Sequence, residues 1–122
     1  MAQSAVLSDV REKVVGVKDG SERKFKSFTA NFYVLKAALR YFKVKKDMSF
    51  TSSKLADNFP VSAPIAGSCL SILTRLGVVR PRTKSSSPDR YMPEDVDLQR
   101  LETVEEVLKD SYEIDEFIPD SE

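Results

Sequence analysis

Pro64, Gly67, Ser68, Ser71, Thr74 and Arg75 recur at helical spacing within one short stretch of the chain. At about 100° per residue they fall on one arc, opposite Ile65, Ala66, Cys69, Leu70, Ile72, Leu73 and Leu76. The hydroxyls donate and accept hydrogen bonds, Arg75 offers a guanidinium, and Gly67 contributes no side chain. Such a face can approach another molecule closely and hydrogen-bond to it. Lys54, Arg80, Arg82, Lys84 and Arg90 add positive charge before and after it.

The charge distribution points to the kind of molecule approached. Up to Met92 the 122-residue chain carries 17 Lys and Arg against 7 Asp and Glu; from Pro93 onward the counts are 2 and 12. The net charge of zero therefore hides a basic body that attracts polyanions and an acidic end that does not. The competing reading is a solvated surface whose charges merely cancel.

Much other chemistry is excluded or made unexpected. The chain has no histidine, which removes the commonest general base and metal ligand and any Ser-His or Cys-His nucleophile pair. Cys69 is the only cysteine, so an internal disulfide is impossible, and zinc would have to rely on Cys69 and carboxylates. No glycine-rich phosphate loop and no convincing catalytic carboxylate pair is present. No enzyme, cofactor or metal site is expected. Cys69 lies on the apolar arc and reads as a small core residue. No apolar run approaches the ~18 residues of a membrane span. MAQSAVLSDVREK lacks a basic segment followed by an apolar core, so no secretory signal and a reducing, cytoplasmic or nucleoid-associated setting are expected.

The elements that must position this face follow from patterning. Residues 1–26 allow two readings, an arm or a hairpin. Val14, Val15 and Val17 before Asp19-Gly20 fit a hairpin with Arg23-Lys24-Phe25-Lys26 as return strand. Alternatively Asp9 caps a short helix through Val15, followed by a basic arm. From Ser27, Phe28, Phe32, Leu35, Leu39 and Phe42 predict one amphipathic helix capped by Ser27 or Thr29. Met48-Ser49-Phe50 suits a short strand. Thr51 caps a helix through Asn58, and Pro60 separates it from a third helix over Ala63–Leu76 with Ser62 as cap and Pro64 in its first turn. Gly77 ends that helix. Val78-Val79-Arg80 and Arg90-Tyr91-Met92 read as strands around a basic loop.

This order, over about Thr29 to Pro93, resembles the winged helix-turn-helix superfamily. The resemblance is carried by Phe50-Thr51, Leu55-Ala56, Val61-Ser62, Leu70, Leu73, Leu76-Gly77 and Val78-Val79-Arg80. It implies an α+β, mostly helical fold, with a three-helix core plus a small antiparallel wing in residues 27–93. It also implies a double-stranded DNA partner and a role in transcription regulation. Ala63–Leu76 would enter the major groove, with base or phosphate contacts from Pro64, Gly67, Ser68, Ser71, Thr74 and Arg75. Ser62 and the amides beside it would hold a phosphate. Lys54, Arg80 and the wing residues Arg82, Lys84 and Arg90 would follow the backbone. A winged helix that binds proteins in a transcription or replication assembly is the alternative, and an RNA-binding role ranks third.

Residues 94–112 predict a C-terminal amphipathic helix with Asp95 or Asp97 as cap and Leu98, Leu101, Val104, Leu108 and Tyr112 on one side. The resemblance makes these a homodimer seam; packing on Phe32 and Leu35 of the same chain is the other possibility. Residues 113–122 form an acidic tail that competes for the basic body or docks on a protein partner.

Overall fold

The computed structural model describes residues 2–45, 49–80 and 90–111, in which six α-helices and a single 3-10 turn share one hydrophobic core and almost no strand is present. The helices are α1 (Ala2–Gly20), α2 (Glu22–Ala30), α3 (Phe32–Val44), α4 (Ser52–Asn58), α5 (Ala63–Arg75) and α6 (Leu98–Ser111).

The first 26 residues form neither a hairpin nor an arm. Val10, Val14 and Val17 are buried, with Leu7 packed beside them, and this spacing of 3 and 4 defines one helical stripe. Tertiary burial of that stripe overrides the weak helix propensity of valine. Asp19-Gly20 ends α1 instead of turning a hairpin. Ser21 then takes an extended conformation and accepts from the Lys24 amide at 3.2 Å, capping α2. The basic run is thus helical, with Phe25 and Phe28 buried beneath it.

The expected single helix from Ser27 is two helices. Asn31, at φ −107° and ψ 9°, divides α2 from α3, and its Nδ2 donates to the Ser27 carbonyl at 2.8 Å. Neither expected cap operates there: the Thr29 hydroxyl donates backward to Lys26 O at 3.0 Å, inside α2. Phe28, Phe32, Leu35, Leu39 and Phe42 are all buried. Their stripe passes through the break because Asn31 departs little from helical geometry.

α4 and α5 form where their caps place them. Thr51 accepts from Lys54 N at 3.2 Å, and Ser62 accepts from Ile65 N at 3.3 Å. Gly77 follows α5 with φ 82°, a conformation that glycine adopts without steric cost. α4 packs against α5, and α2 lies along α5 as well.

The expected hairpin between Val78–Arg80 and Arg90–Met92 is absent among the described residues. Two isolated antiparallel bridges stand there instead, Phe50 with Tyr91 and Val79 with Val96. Phe50 exchanges both backbone hydrogen bonds with Tyr91 at 2.9 Å, and its ring stacks between Phe42 and Tyr91. Val78 is held from both sides, its N–H on Leu73 O at 2.9 Å and its carbonyl accepting from Asp97 N at 2.8 Å. These bonds direct the segment after α5 toward residues 96–97.

Of the two caps expected for the C-terminal helix, Asp97 is the one that operates, and the helix begins at Leu98. Pro93–Asp95 makes one 3-10 turn, Val96 is extended in its bridge, and Asp97 caps α6 by accepting from Arg100 N at 3.0 Å. α6 packs chiefly on α1 and less on α3. Its Leu101, Val104, Val107 and Leu108 are buried in the same core as Val10 and Phe28. Neither residues 1–26 nor 94–111 stand apart from the central helices.

Candidate functional site

α5 is covered on two sides and open on a third. Ala66, Cys69, Leu70, Ile72 and Leu73 are buried. Pro64, Ser71 and Arg75 are exposed and Ser68 is half-buried, so residues spaced 4, 3 and 4 form one accessible stripe.

The walls of this stripe explain its small residues differently from the sequence expectation. A Cβ at Gly67 would lie 3.7 Å from Ser52 Cβ. Gly67 therefore faces the N-terminal end of α4, and its lack of a side chain serves the crossing of α4 and α5. Thr74 is half-buried and its hydroxyl donates to Leu70 O at 2.9 Å. Gly67 thus faces α4, while Thr74 satisfies its own donor within α5 and lines an open depression beside Arg80. On the other side, Arg75 Nη1 lies 3.9 Å from where a Gly20 Cβ would sit. That places the guanidinium over the corner between α1 and α2.

The cations near these walls are largely uncommitted. Lys54 on α4, Arg75, Arg80 and Arg90 are exposed. So are Arg23, Lys24 and Lys26 on α2, which sequence reasoning left outside the site. None of these pairs with a carboxylate among the described residues. The exposed acids in the same region are Asp19, Glu22 and Asp57, with Glu94 and Asp97 lining the depression that Arg80 reaches. Arg23 and Lys26 sit one turn apart with Phe25 and Phe28 buried behind them; that apolar pair within a basic run was the signal for a cationic helix.

Other cations are structurally occupied. Lys36 pairs with Glu105 at 2.6 Å, and Tyr33 donates to the same carboxylate at 3.0 Å. Burial pushes the Glu105 carboxyl up, but the hydrogen bonds from Lys36 and Tyr33 and the charge of Lys36 outweigh it and hold the group below its ordinary value. Lys43 donates to Pro93 O at 3.0 Å and Val96 O at 2.7 Å. Beside it, between the end of α5 and residues 94–99, lies an open depression of about 660 Å³ reached by both Arg80 and Asp97. The Arg100 guanidinium donates to Asp9, and this hydrogen bond holds the Asp9 carboxyl below its ordinary value.

Ser62 is exposed, with its hydroxyl accepting from the Ile65 amide. Arg82, Lys84 and Tyr112 lie outside the described residues. Leu98 is half-buried against the core, while Leu101, Val104 and Leu108 are fully covered by their own chain. The apolar side read as a dimer seam is consumed by α1, because α1 is a helix with a complementary valine stripe. Cys69 is buried, and burial pushes its thiol up to about 11, so it carries no thiolate at neutral pH. Among the described residues no group of three or more Cys, Asp or Glu could hold a metal ion, and no helix is long and apolar enough to cross a membrane.

Comparisons of the chain with protein-family models, with curated proteins and with solved structures find no match.

Proposed function

We propose that this chain is a helical DNA-binding protein acting in transcription regulation, which lays the Pro64–Ser68–Ser71–Arg75 stripe of α5 against duplex DNA. The observation that carries the reading is this open stripe, bounded by α4 and α2, with Lys54, Arg75 and Arg80 lacking carboxylate partners among the described residues. Small hydroxylated residues let the helix backbone come near the groove wall, and the surrounding cations neutralise phosphates. Arg23, Lys24 and Lys26 on α2 extend the cationic surface.

The stripe has no Asn or Gln, and Arg75 is its only guanidinium. Base-edge readout relies on those side chains, so most of the affinity comes from phosphates. The same scarcity favours the second reading, a helical module whose small-residue face contacts a protein in a transcription or replication assembly.

Fluorescence anisotropy with a labelled random 20-base-pair duplex, from low to moderate salt, separates the two. A DNA binder loses affinity with a log–log slope of about −0.9 per phosphate contact. Arg75→Glu then weakens binding at low salt, and Arg23→Glu with Lys26→Glu flattens the slope. Affinity that is indifferent to salt and to Arg75 rejects the DNA reading and leaves the protein-contact one.

A further inference from the structure

We infer that α3 carries a second, outward-facing apolar stripe, Val34–Ala37–Tyr41–Val44, on which an acidic amphipathic helix of another protein docks. This docking stands whether or not α5 meets DNA.

α3 is apolar on two sides. Phe32, Leu35, Ala38, Leu39 and Phe42 are buried in the core, and a helix at a protein surface needs no more than that one apolar face. Val34, Ala37, Tyr41 and Val44 are spaced 3, 4 and 3, so they form a second line, about 15 Å long. Val34 is half-buried and Ala37 exposed, while Tyr41 is 40 % and Val44 75 % exposed. The line broadens toward the end of α4, where the half-buried Phe59 ring meets Tyr41 edge-on with 5.7 Å between centroids. Apolar side chains grouped in this way mark a contact surface, whereas single exposed ones do not.

Charge selects the occupant. α3 contains no Asp or Glu. Its exposed Arg40 and the exposed Lys45 at its end lie on opposite sides of the stripe at about 100° per residue. Neither pairs with a carboxylate among the described residues, and Lys45 Nζ stands over the Tyr41 ring at 5.4 Å from its centroid. The acids on the elements packed nearby are few. Glu105 of α6 is taken by Lys36 and Tyr33, and α4 contributes only Asp57. Glu94 and Asp95 belong to the 3-10 turn held by Lys43, which projects across α3 from Tyr41. An apolar ridge between two cations matches an apolar face bordered by carboxylates, and the 3-4 spacing matches that of a helix laid along it. A second copy of α3 would bring Arg40 and Lys45 of both chains to one seam, which like-charge repulsion opposes. Nucleic acid gains little here, since Val34, Ala37 and Val44 neither stack on bases nor neutralise phosphates.

The test uses the full chain and a fluorescein-labelled, blocked peptide of about 18 residues, roughly five helical turns, with Leu at 3-4 spacing and Glu at the flanking positions. A twin carries Lys in place of every Glu. Fluorescence anisotropy should show the acidic peptide binding at micromolar concentrations and the basic twin not binding. Val44→Lys removes an apolar contact while adding a cation, and a cation at the end of α3 leaves the helix intact. It should still weaken the acidic peptide about tenfold, as loss of a central apolar anchor does. Arg40→Glu should weaken it too, whereas Arg23→Glu with Lys26→Glu should leave it unchanged. Tyr41 packs on Phe42 and Phe59, so the exposed Val44 is the variant whose fold is not in question. Absence of acidic-peptide binding, binding indifferent to Val44→Lys, or equal binding of the basic twin overturns the docking. So does Val44-dependent self-association in sedimentation velocity, which makes a second copy the occupant. Val44-dependent binding of a single-stranded oligonucleotide overturns it as well, by making the stripe a nucleic-acid surface.

Discussion

Arg100 on α6 donates its Nε–H to the carbonyl oxygen of Leu76 at 2.6 Å, where that carbonyl caps the end of α5. The same guanidinium donates to Asp9 of α1. One side chain thus ties together the first, fifth and sixth helices and satisfies a carbonyl that the helix end leaves without an intrahelical partner. It also links the end of the stripe-bearing helix to the N-terminal helix.

Gly77 is the complement of that arrangement. A Cβ there would stand 2.7 Å from Arg100 Nε, on a backbone with φ 82°. Gly77→Ala should cost about 1–3 kcal/mol from backbone strain and displacement of the guanidinium. In an Arg100→Ala background the same substitution should cost less, since only the strain remains. Urea unfolding of the four proteins checks this; equal costs in both backgrounds contradict it.

Gly67 should behave oppositely. Its missing Cβ would meet Ser52 at 3.7 Å, an ordinary contact. Gly67→Ala should stabilise by about 0.5–1 kcal/mol, because glycine inside a helix gives up more conformational entropy than alanine. Gly67→Leu should push α4 away and destabilise. Duplex affinity should be unaffected by Gly67→Ala, since the position faces α4. A tenfold loss of affinity in this variant would return Gly67 to the binding surface.

Glu105 makes the fold acid-sensitive. Its carboxyl titrates below the ordinary value of 4.5 because the hydrogen bonds from Lys36 and Tyr33 outweigh burial. A depressed folded value contributes stability above the unfolded value, and that contribution is lost as pH falls through the folded value. Glu105→Ala should cost about 1.5–3 kcal/mol at neutral pH. The gap between wild type and variant should hold at pH 7 and narrow below about pH 4.5. Chemical denaturation across this pH series reads the effect, and a gap that widens toward acid refutes it.

Cys69 should resist modification. With the thiol buried and pushed up to about 11, thiol reagents at pH 8 should react only as fast as the protein opens. Full labelling appears in denaturant. Rapid native-state labelling would show that the apolar side of α5 is accessible.

The landmarks of α4 and α5 were legible in the sequence because they are local. Thr51 and Ser62 cap by binding amides three residues on, and Gly77 ends α5 through its own positive φ. Such interactions act within a turn of helix, so residue type and spacing announce them. Asn31 marks the limit of this reasoning. The Phe28–Phe42 stripe is continuous in space although the helix is not, and periodicity alone registers the stripe.

The sequence by itself determined the caps of α4 and α5, the apolar faces of α3 and α5, and the division into a basic body and an acidic end. Tertiary structure alone decided that the valine-rich start is a helix, that α6 spends its apolar side on α1, and that Gly67 looks toward Ser52 while Pro64, Ser71 and Arg75 look outward. The reason is physical: hydrogen bonds and φ preferences are settled within a few residues, whereas which apolar face becomes covered depends on a surface supplied from almost a hundred residues away, as Asp9 and Arg100 illustrate.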